Sequence, residues 1–408
     1  MRIGFDITAL YVAQAGVHTY DYNLLQALLE VDRENKYLLL DYVPLHDKHA
    51  TLPEAAALGA KNARIARCAG LKHRRLARWD ALQRPPLRPL AALVDRTLLW
   101  PWAAAAEASM RRNLQQALRA VDVFHSSDVL LWRQPDALNV VTIYDLTALL
   151  FPEHHTPGTR ELQARKWQFA REKADVVIAI SEATKRDIVA HLGIPSHRIH
   201  VVCGGAGPAF RPIESRQVLE QALAPLQLAP GEYILYVGTI EPRKNLARLV
   251  EAYHRVRKLM PAPKLVLAGA RGWKFEGVFE RVETLGLKDA VIFLGQVPAD
   301  ILPALYNGAV AFAYPSLYEG FGLPPLEAMA CGVPVIASDT SSLPEVVGDA
   351  GVLVDPNDTD ALADALAALL NDDEKRAELS ARGLARARAF SWEQAARKTL
   401  EVYRLAEE

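Results

Sequence analysis

Cysteine is scarce. Only Cys68, Cys203 and Cys331 occur in 408 residues, far apart and without a CxxC pair, so neither a disulfide framework nor a thiolate metal site is expected. An excess of one charge is also lacking. Basic and acidic side chains nearly cancel to a formal net charge of -1, which argues against a nucleic-acid binder held mainly by charge. Long apolar runs are missing too. The longest stretch without Asp, Glu, Lys or Arg runs from Ile301 to Tyr318, but Pro303, Asn307, Gly308 and Pro315 interrupt it. It reads as a helical turn followed by a buried strand, not a membrane span. The opening MRIGFDIT already reads as a strand, with no basic region leading into an apolar one, so no cleavable leader is expected. These absences predict a cytoplasmic chain.

Half of the residues are hydrophobic, and the length exceeds what one core usually organises, so two domains are expected. Short runs rich in Val and Ile recur between helical stretches: RIGFDIT, YLLLDYV, VDVFHSS, VVTIYDL, DVVIAIS and RIHVVCG. They lack strict alternation, as strands buried on both faces of a parallel sheet should. After the Gly/Pro-rich stretch CGGAGPAFRP the pattern restarts with YILYVGT, KLVLAGA, VIFLGQV, AVAFAYPS, PVIASD and GVLVDP. The fold class expected is α/β, two doubly wound Rossmann-like domains facing a cleft, over 1–205 and 206–390. An amphipathic helix over 391–408 follows, with Ser391 as its N-cap.

The segment LYEGFGLPPLEAMACGVPVIASD sets Glu319 and Glu327 on either side of Gly320, Phe321, Gly322 and Leu323. AVAFAYPS reads as a strand and the segment from Pro324 to Ala330 as a short helix, since proline suits a first turn and glycine a helix end. Backbone N–H groups before that helix can meet an anion. Glu319 would repel the same anion, so it is expected to accept hydrogen bonds from neighbouring hydroxyls, and Glu327 likewise on the other side. A nucleotide sugar, with hydroxyls flanking a diphosphate, meets both requirements. The alternative is that Glu327 only complements the helix N-terminus and Glu319 is a solvated loop residue. A second element, YVGTIEPRKNLARLVEAY, reads as a strand, a Gly238-Thr239 turn, then Arg243 and Lys244 ahead of a helix. Two cations there can balance the charge on a departing nucleoside diphosphate without a metal; alone, such a pair would read as a solvated turn.

The run YEGFGLPPLEAMACGVPVIASD resembles the E-x7-E signature of retaining glycosyltransferases of family 4, which have the GT-B fold, and VGTIEPRKN is similar to that family's phosphate-binding segment. SEATKRDI, LPEVVGDAGVLVDPND and FSWEQAARKTLEVY agree in position and wording. The resemblance implies that Arg243 and Lys244 bind the donor diphosphate, Glu319 holds sugar hydroxyls, and Glu327 holds the ribose. It implies that Gly320 to Leu323 complete the phosphate site, that the final helix crosses back to the first domain, and that transfer is retaining. No cofactor or metal is implied beyond the donor substrate. The wording is most like bacterial mannosyltransferases of surface-polysaccharide assembly, which makes GDP-mannose the expected donor and a glycan or lipid-linked glycan the expected acceptor. No residue of these motifs separates guanine from uracil or mannose from glucose. A sugar-nucleotide epimerase of the same fold and a carbohydrate-binding protein without activity are the rival readings.

Two departures stand out. Family members often have two glycines near the start of the first helix. Gly16 matches the first and His18 occupies the place of the second. Where the family commonly has a His-Asp pair after its strand, this chain has Tyr144-Asp145; a tyrosine can still donate to a hydroxyl. Tyr144 and Asp145 join Glu319, Arg243 and Lys244 as the catalytic candidates, Gly16, Gly238 and Thr239 join the donor-binding ones, and His18 and His125 are candidates on the acceptor side. For His125, a satisfied histidine at a strand end is an equal alternative. The pair His154-His155 has no acid at metal-ligand spacing and reads as a surface loop. Asp358-Thr359-Asp360 precedes a helix and reads as its N-cap.

An insert is expected at about 61–115. From Arg64 to Arg88 there are eight Lys or Arg residues against one acid, Asp80, with Leu71, Leu76, Trp79 and Leu82 among them. Such a segment suits the anionic inner face of the cytoplasmic membrane; a solvated basic face is the alternative. Similar enzymes that glycosylate lipid-linked acceptors favour peripheral membrane contact through residues 64–110.

Overall fold

The computed structural model describes residues 1–11, 16–41, 62–67, 112–127 and 130–407. Two sheets organise it. The first contains β1 (Arg2–Asp6), β2 (Lys36–Asp41), β3 (Ala63–Arg67), β4 (Val123–Ser126), β5 (Leu138–Ile143), β6 (Val176–Ala179) and β7 (Ile199–Val201), in the order β3-β2-β1-β4-β5-β6-β7. The second contains β8 (Tyr233–Val237), β9 (Lys264–Ala268), β10 (Val291–Gly295), β11 (Ala311–Tyr314), β12 (Val335–Ser338) and β13 (Val352–Val354), in the order β10-β9-β8-β11-β12-β13. Neighbours run parallel, with Ile3 beside both Tyr37 and Val123, and Ala311 beside Ile234. Each is a doubly wound sheet, and in each the winding reverses once, between β1 and β4 and between β8 and β11.

The continuous apolar runs explain the burial. Ile3, Phe5, Val123 and Phe124 in the first sheet, and Ile234, Leu235, Phe312 and Ala313 in the second, have no exposed surface. A helix covers each face of such a strand, so every residue contributes to the core rather than every second one. Contacts divide the chain into one unit of residues 1–143, 165–178 and 396–408 and another of residues 144–164 and 179–395. By sheet membership, strands up to Val201 belong to the first sheet and those from Tyr233 to the second.

One strand departs from the sequence expectation. Ala63–Arg67 pairs in parallel with β2 as an edge strand, Tyr37 beside Ala63 and Asp41 beside Arg67, so the insert begins later than 61. Its sequence, ARIAR, carries the charges that edge strands use to discourage further pairing, which is why it merges into the basic stretch by eye. Residues 68–111, with Arg74, Arg75 and Arg78, lie outside the described residues. Among the described residues no helix is long and apolar enough to cross a membrane.

Caps follow the local sequence. Asp358 accepts from the N–H groups of Asp360 and Ala361, each at 2.9 Å, and starts the helix Thr359–Asn371. Ser391 Oγ accepts from Gln394 N at 3.2 Å at the start of Trp392–Arg404.

Candidate active site

In an open doubly wound sheet a ligand settles beyond the carboxyl ends of the strands, where the winding reverses. In the second sheet that point lies between β8 and β11. The loop after β8 carries Gly238, Thr239, Glu241, Arg243 and Lys244; the loop after β11 carries Glu319 to Leu323. Leu317 N donates to Arg243 O at 2.9 Å, tying the two loops by their backbones.

The side chains close that link. Glu319 Oε2 is 3.0 Å from Arg243 Nη1, and Glu319 Oε1 accepts from Lys244 Nζ at 2.6 Å. Arg243 also meets Glu241 Oε1 at 2.7 Å and donates to Tyr318 O at 2.6 Å. Lys244 donates to the Tyr314 hydroxyl at 2.9 Å. Two cations and two carboxylates therefore form one buried group, with Glu319 8% and Lys244 7% exposed. Burial alone would raise the Glu319 pKa, but Arg243 and Lys244 outweigh it and bring it to about 2. Burial draws Lys244 below its ordinary value, and the Arg243 charge adds to that against the pull of Glu319. Glu319 is thus an ionised partner of both cations. The sequence reading of it as a carboxylate waiting on hydroxyls omits that pairing.

The Glu319 loop is fixed from below. Its N–H donates to Ser341 Oγ at 2.9 Å, and Ser342 Oγ donates to Glu319 O at 2.9 Å and to Phe321 O at 2.5 Å. Gly320 has no space for a side chain: a Cβ there would lie 2.1 Å from Tyr144 O and 3.1 Å from Asp145 Cβ. Thr184 Oγ1 lies between the same two loops, donating to Gly320 O at 3.1 Å and Tyr144 O at 3.3 Å. This brings Tyr144 and Asp145 beside the Glu319 loop. Asp145 Oδ1 accepts from Thr147 N at 2.9 Å and Thr147 Oγ1 at 2.6 Å, and its charge acts on Arg243.

Gly322, at φ 122, caps the helix Leu323–Ala330, and Phe321 packs its ring 5.7 Å from Phe390. Glu327, one turn into that helix, is 9% exposed and its Oε2 accepts from the Tyr306 hydroxyl at 2.8 Å. Burial raises its pKa to about 7 despite that hydrogen bond. Gly238 N donates to Ala268 O at 2.9 Å, and the Tyr236 hydroxyl donates to Thr239 O at 3.1 Å.

The donor-binding candidate Gly16 and the acceptor-side candidates His18 and His125 belong to the other unit. Gly16 starts the helix Gly16–Val31, and the His18 ring stacks at 6.2 Å from Tyr22. His125 is corrected. It is fully buried, with Nδ1 2.6 Å from the Tyr403 hydroxyl and Nε2 2.7 Å from Thr142 Oγ1. Both nitrogens are occupied, and burial holds the ring neutral with a pKa of about 3, so it is a core histidine and not an acceptor contact. His154 and His155 lie at the end of the short 3-10 helix Pro152–His154, both partly exposed, as a surface segment should be. Sequence reasoning also misses Glu241, although its place two residues before Arg243 in IEPRKN is a usable signal. Nothing local announces Tyr314, Ser341 or Ser342 as partners of this group.

Comparison with known proteins decides the family. A model described as "Glycosyl transferases group 1" matches residues 225–386, and one described as "Glycosyltransferase Family 4" matches residues 48–209. The chain is similar to "O-antigen chain mannosyltransferase B" of Escherichia coli, 39% identical over 274 residues, 65% of this chain and 70% of that one. This chain is a family 4 glycosyltransferase. The glycosyltransferase is also 34% identical over 274 residues to the "Serotype-specific mannosyltransferase WbdA" of Escherichia coli, though the match spans only 33% of that longer protein. A "D-inositol 3-phosphate glycosyltransferase" of Rhodococcus opacus is 33% identical over 285 residues, 67% of this chain and 63% of the relative.

Solved structures agree in fold. Sucrose-phosphate synthase from Thermosynechococcus elongatus superposes with a TM-score of 0.69 at 22% identity, covering 99% of the glycosyltransferase and 98% of that chain. WaaG, described as a glycosyltransferase involved in lipopolysaccharide biosynthesis, gives 0.68 at 15% identity over 98% and 99%. Anabaena Alr3699/HepE in complex with UDP and glucose gives 0.69 at 18% identity over the whole of both chains. The glycosyltransferase has the GT-B fold of two Rossmann-like domains.

Proposed function

We propose that this enzyme is a retaining mannosyltransferase that moves mannose from GDP-mannose to a hydroxyl of a glycan or lipid-linked glycan in polysaccharide assembly. The observation that carries the reading is the buried Arg243-Lys244-Glu319 group at the switch point of the second sheet. Mannose and a glycan acceptor are drawn from the likeness to the O-antigen mannosyltransferase. The cations are the residues to hold the diphosphate, with the Gly320 to Leu323 backbone at the helix start beside them. Their charge stands where a metal would otherwise stabilise the leaving group.

Retention is drawn from the likeness to family 4 glycosyltransferases, and the state of Glu319 bears on which group takes the proton. A carboxylate held at about 2 by two cations is a poor proton acceptor near neutral pH. The departing phosphate, next to the attacking hydroxyl, is then the natural base, and Glu319 positions the cations and the sugar. Glu327 is the residue assigned to the ribose. Tyr144 and Asp145, packed on the Gly320 loop, position the donor.

A melting-temperature screen with GDP-, UDP-, ADP- and dTDP-sugars tests this. A ligand at a hundredfold its Kd should stabilise the native state by about 2.7 kcal/mol. GDP-mannose should raise the wild-type Tm by several degrees, with the rise lost in Lys244→Ala and reduced in Glu327→Ala. Transfer to an acceptor glycan should proceed equally in excess EDTA, with α-anomeric product from the α-linked donor. No response to any nucleotide sugar would sink the reading.

A further inference from the structure

The segment SEATKRDI, from Ser181 to Ile188, reaches the Glu319 loop with more than Thr184. It folds as the helix Glu182–Asp187, with Ser181 Oγ accepting from Thr184 N at 2.9 Å as its N-cap. Glu345 fixes the start of that helix. Its Oε1 accepts from Glu182 N at 3.0 Å and its Oε2 from Ala183 N at 3.3 Å. Glu345 belongs to the helix Leu343–Val347, directly after the Ser341 and Ser342 that hold Glu319. The short helix and the Glu319 loop therefore share one base.

Thr184 and Asp187 stand three positions apart, on one face of the helix, and both reach that loop. Thr184 Oγ1 donates to Gly320 O at 3.1 Å, and Asp187 Oδ2 accepts from the Tyr318 hydroxyl. Tyr318 is 7% exposed and Asp187 half-buried. A buried phenol left without an acceptor is costly, so this bond holds the ring in place, and the Phe151 ring bounds it at 5.8 Å. The other end of the same residue serves Arg243. Tyr318 O accepts from Arg243 Nη1 at 2.6 Å, and Glu319 Oε2 lies 3.0 Å from that nitrogen. One guanidinium nitrogen is thus placed by two consecutive residues. Glu319 is tied down through its own N–H and carbonyl by Ser341 and Ser342. Among the described residues, the side-chain hydrogen bond that holds Tyr318 is the one to Asp187.

We propose that Asp187 is a positioning residue for transfer, which through the Tyr318 hydroxyl sets the carbonyl that receives Arg243, and with it the guanidinium that meets the donor diphosphate. The inference rests on the nucleotide-sugar reading of the proposed function. Asp187 touches no substrate in it; its effect passes through two hydrogen bonds, Asp187 with Tyr318 and Tyr318 with Arg243. A displacement of about 1 Å in a group that aligns reactants can cost on the order of a hundredfold in rate. Loss of the first bond is therefore expected in turnover before it is felt in the fold.

Initial rates with GDP-mannose and melting temperatures are compared for the wild type, Tyr318→Phe, Asp187→Ala, Asp187→Asn and the double variant Tyr318→Phe with Asp187→Ala. Tyr318→Phe keeps the ring and its packing and removes only the hydroxyl. It and Asp187→Ala should each lower kcat/KM by about tenfold or more, with Tm within a few degrees of the wild type. The double variant should match the more impaired single one to within about twofold, because both substitutions remove the same bond. Asp187→Asn keeps an oxygen that accepts from Tyr318 and should recover most of the loss. Losses that multiply in the double variant would overturn the inference. So would equal losses in Asp187→Asn and Asp187→Ala, or activity that falls only in step with Tm. A wild type that transfers sugar while every variant matches it overturns this inference alone. If the wild type uses UDP-glucose instead, the same ratios on that donor decide. A wild type that neither binds nor uses any nucleotide sugar overturns the proposed function, and this inference falls with it.

Discussion

Glu319 and Glu327 stand eight positions apart and titrate in opposite directions. Glu319 is drawn down to about 2 because two cations outweigh its burial, whereas Glu327 is pushed up to about 7 because burial is opposed only by the Tyr306 hydroxyl. The consequences for stability have opposite signs. Glu319 stabilises the fold above the ordinary carboxyl value of 4.5, and that contribution is lost as pH falls toward 2. Glu327 binds its proton more tightly when folded. Its contribution is complete below 4.5 and is lost as pH rises through 7. The difference approaches about 3 kcal/mol. Glu327→Gln keeps an acceptor for Tyr306 and removes the titration. Relative to this variant, the wild type should lose on the order of 5–10 °C of Tm between pH 5 and pH 8. Parallel melting profiles for the two proteins would show that the carboxyl is not held protonated.

At the scale of elements, most strands are legible because they are short apolar runs rich in Val, Ile and Leu between turn residues, as strands buried on both faces should be. The helix from Leu323 is legible through its glycines and prolines, and the N-cap at Asp358 through its spacing. Edge strand β3 is not, because two of its five residues are arginines. Partners across the chain are illegible for a different reason. Glu241 meets Arg243 only because Pro242–Lys244 turns as a single 3-10 helix, and His155 meets Trp273 only because two loops from separate parts of the chain converge. What the elements do to the site can be tested at Gly320. Its Cβ would strike backbone, Tyr144 O at 2.1 Å, and backbone cannot swing aside as a flexible side chain does. Gly320→Ala should separate the Tyr144-Asp145 and Glu319 loops and lower kcat/KM at least a hundredfold. Gly277→Ala is the control. Nothing lies within 4 Å of its Cβ, in the helix Glu276–Thr284, so it should be neutral or stabilising by up to about 1 kcal/mol. Full activity in Gly320→Ala would mean that the contact between the loops is dispensable.

For the molecule as a whole, a formal net charge of -1 conceals an uneven distribution: the stretch from Arg64 to Arg88 holds eight Lys or Arg residues and a single acid. A lipid-linked acceptor confines the reaction to a membrane surface, and among the described residues no helix is suited to span one. If the acceptor is of that kind, this stretch has the composition to hold the chain at that surface. Each basic residue near an anionic surface is worth about 1 kcal/mol. Reversing three of them therefore changes the interaction several times over. We predict that the wild type sediments with vesicles containing phosphatidylserine and is released by salt. Arg74→Glu with Arg75→Glu and Arg78→Glu should reduce binding at least a hundredfold while transfer to a water-soluble acceptor is retained. The retained transfer matters, because it separates loss of a surface contact from loss of the fold. Sedimentation unchanged by the triple substitution would leave the basic stretch as a solvated face, and the acceptor would then have to be recognised without help from the lipid surface.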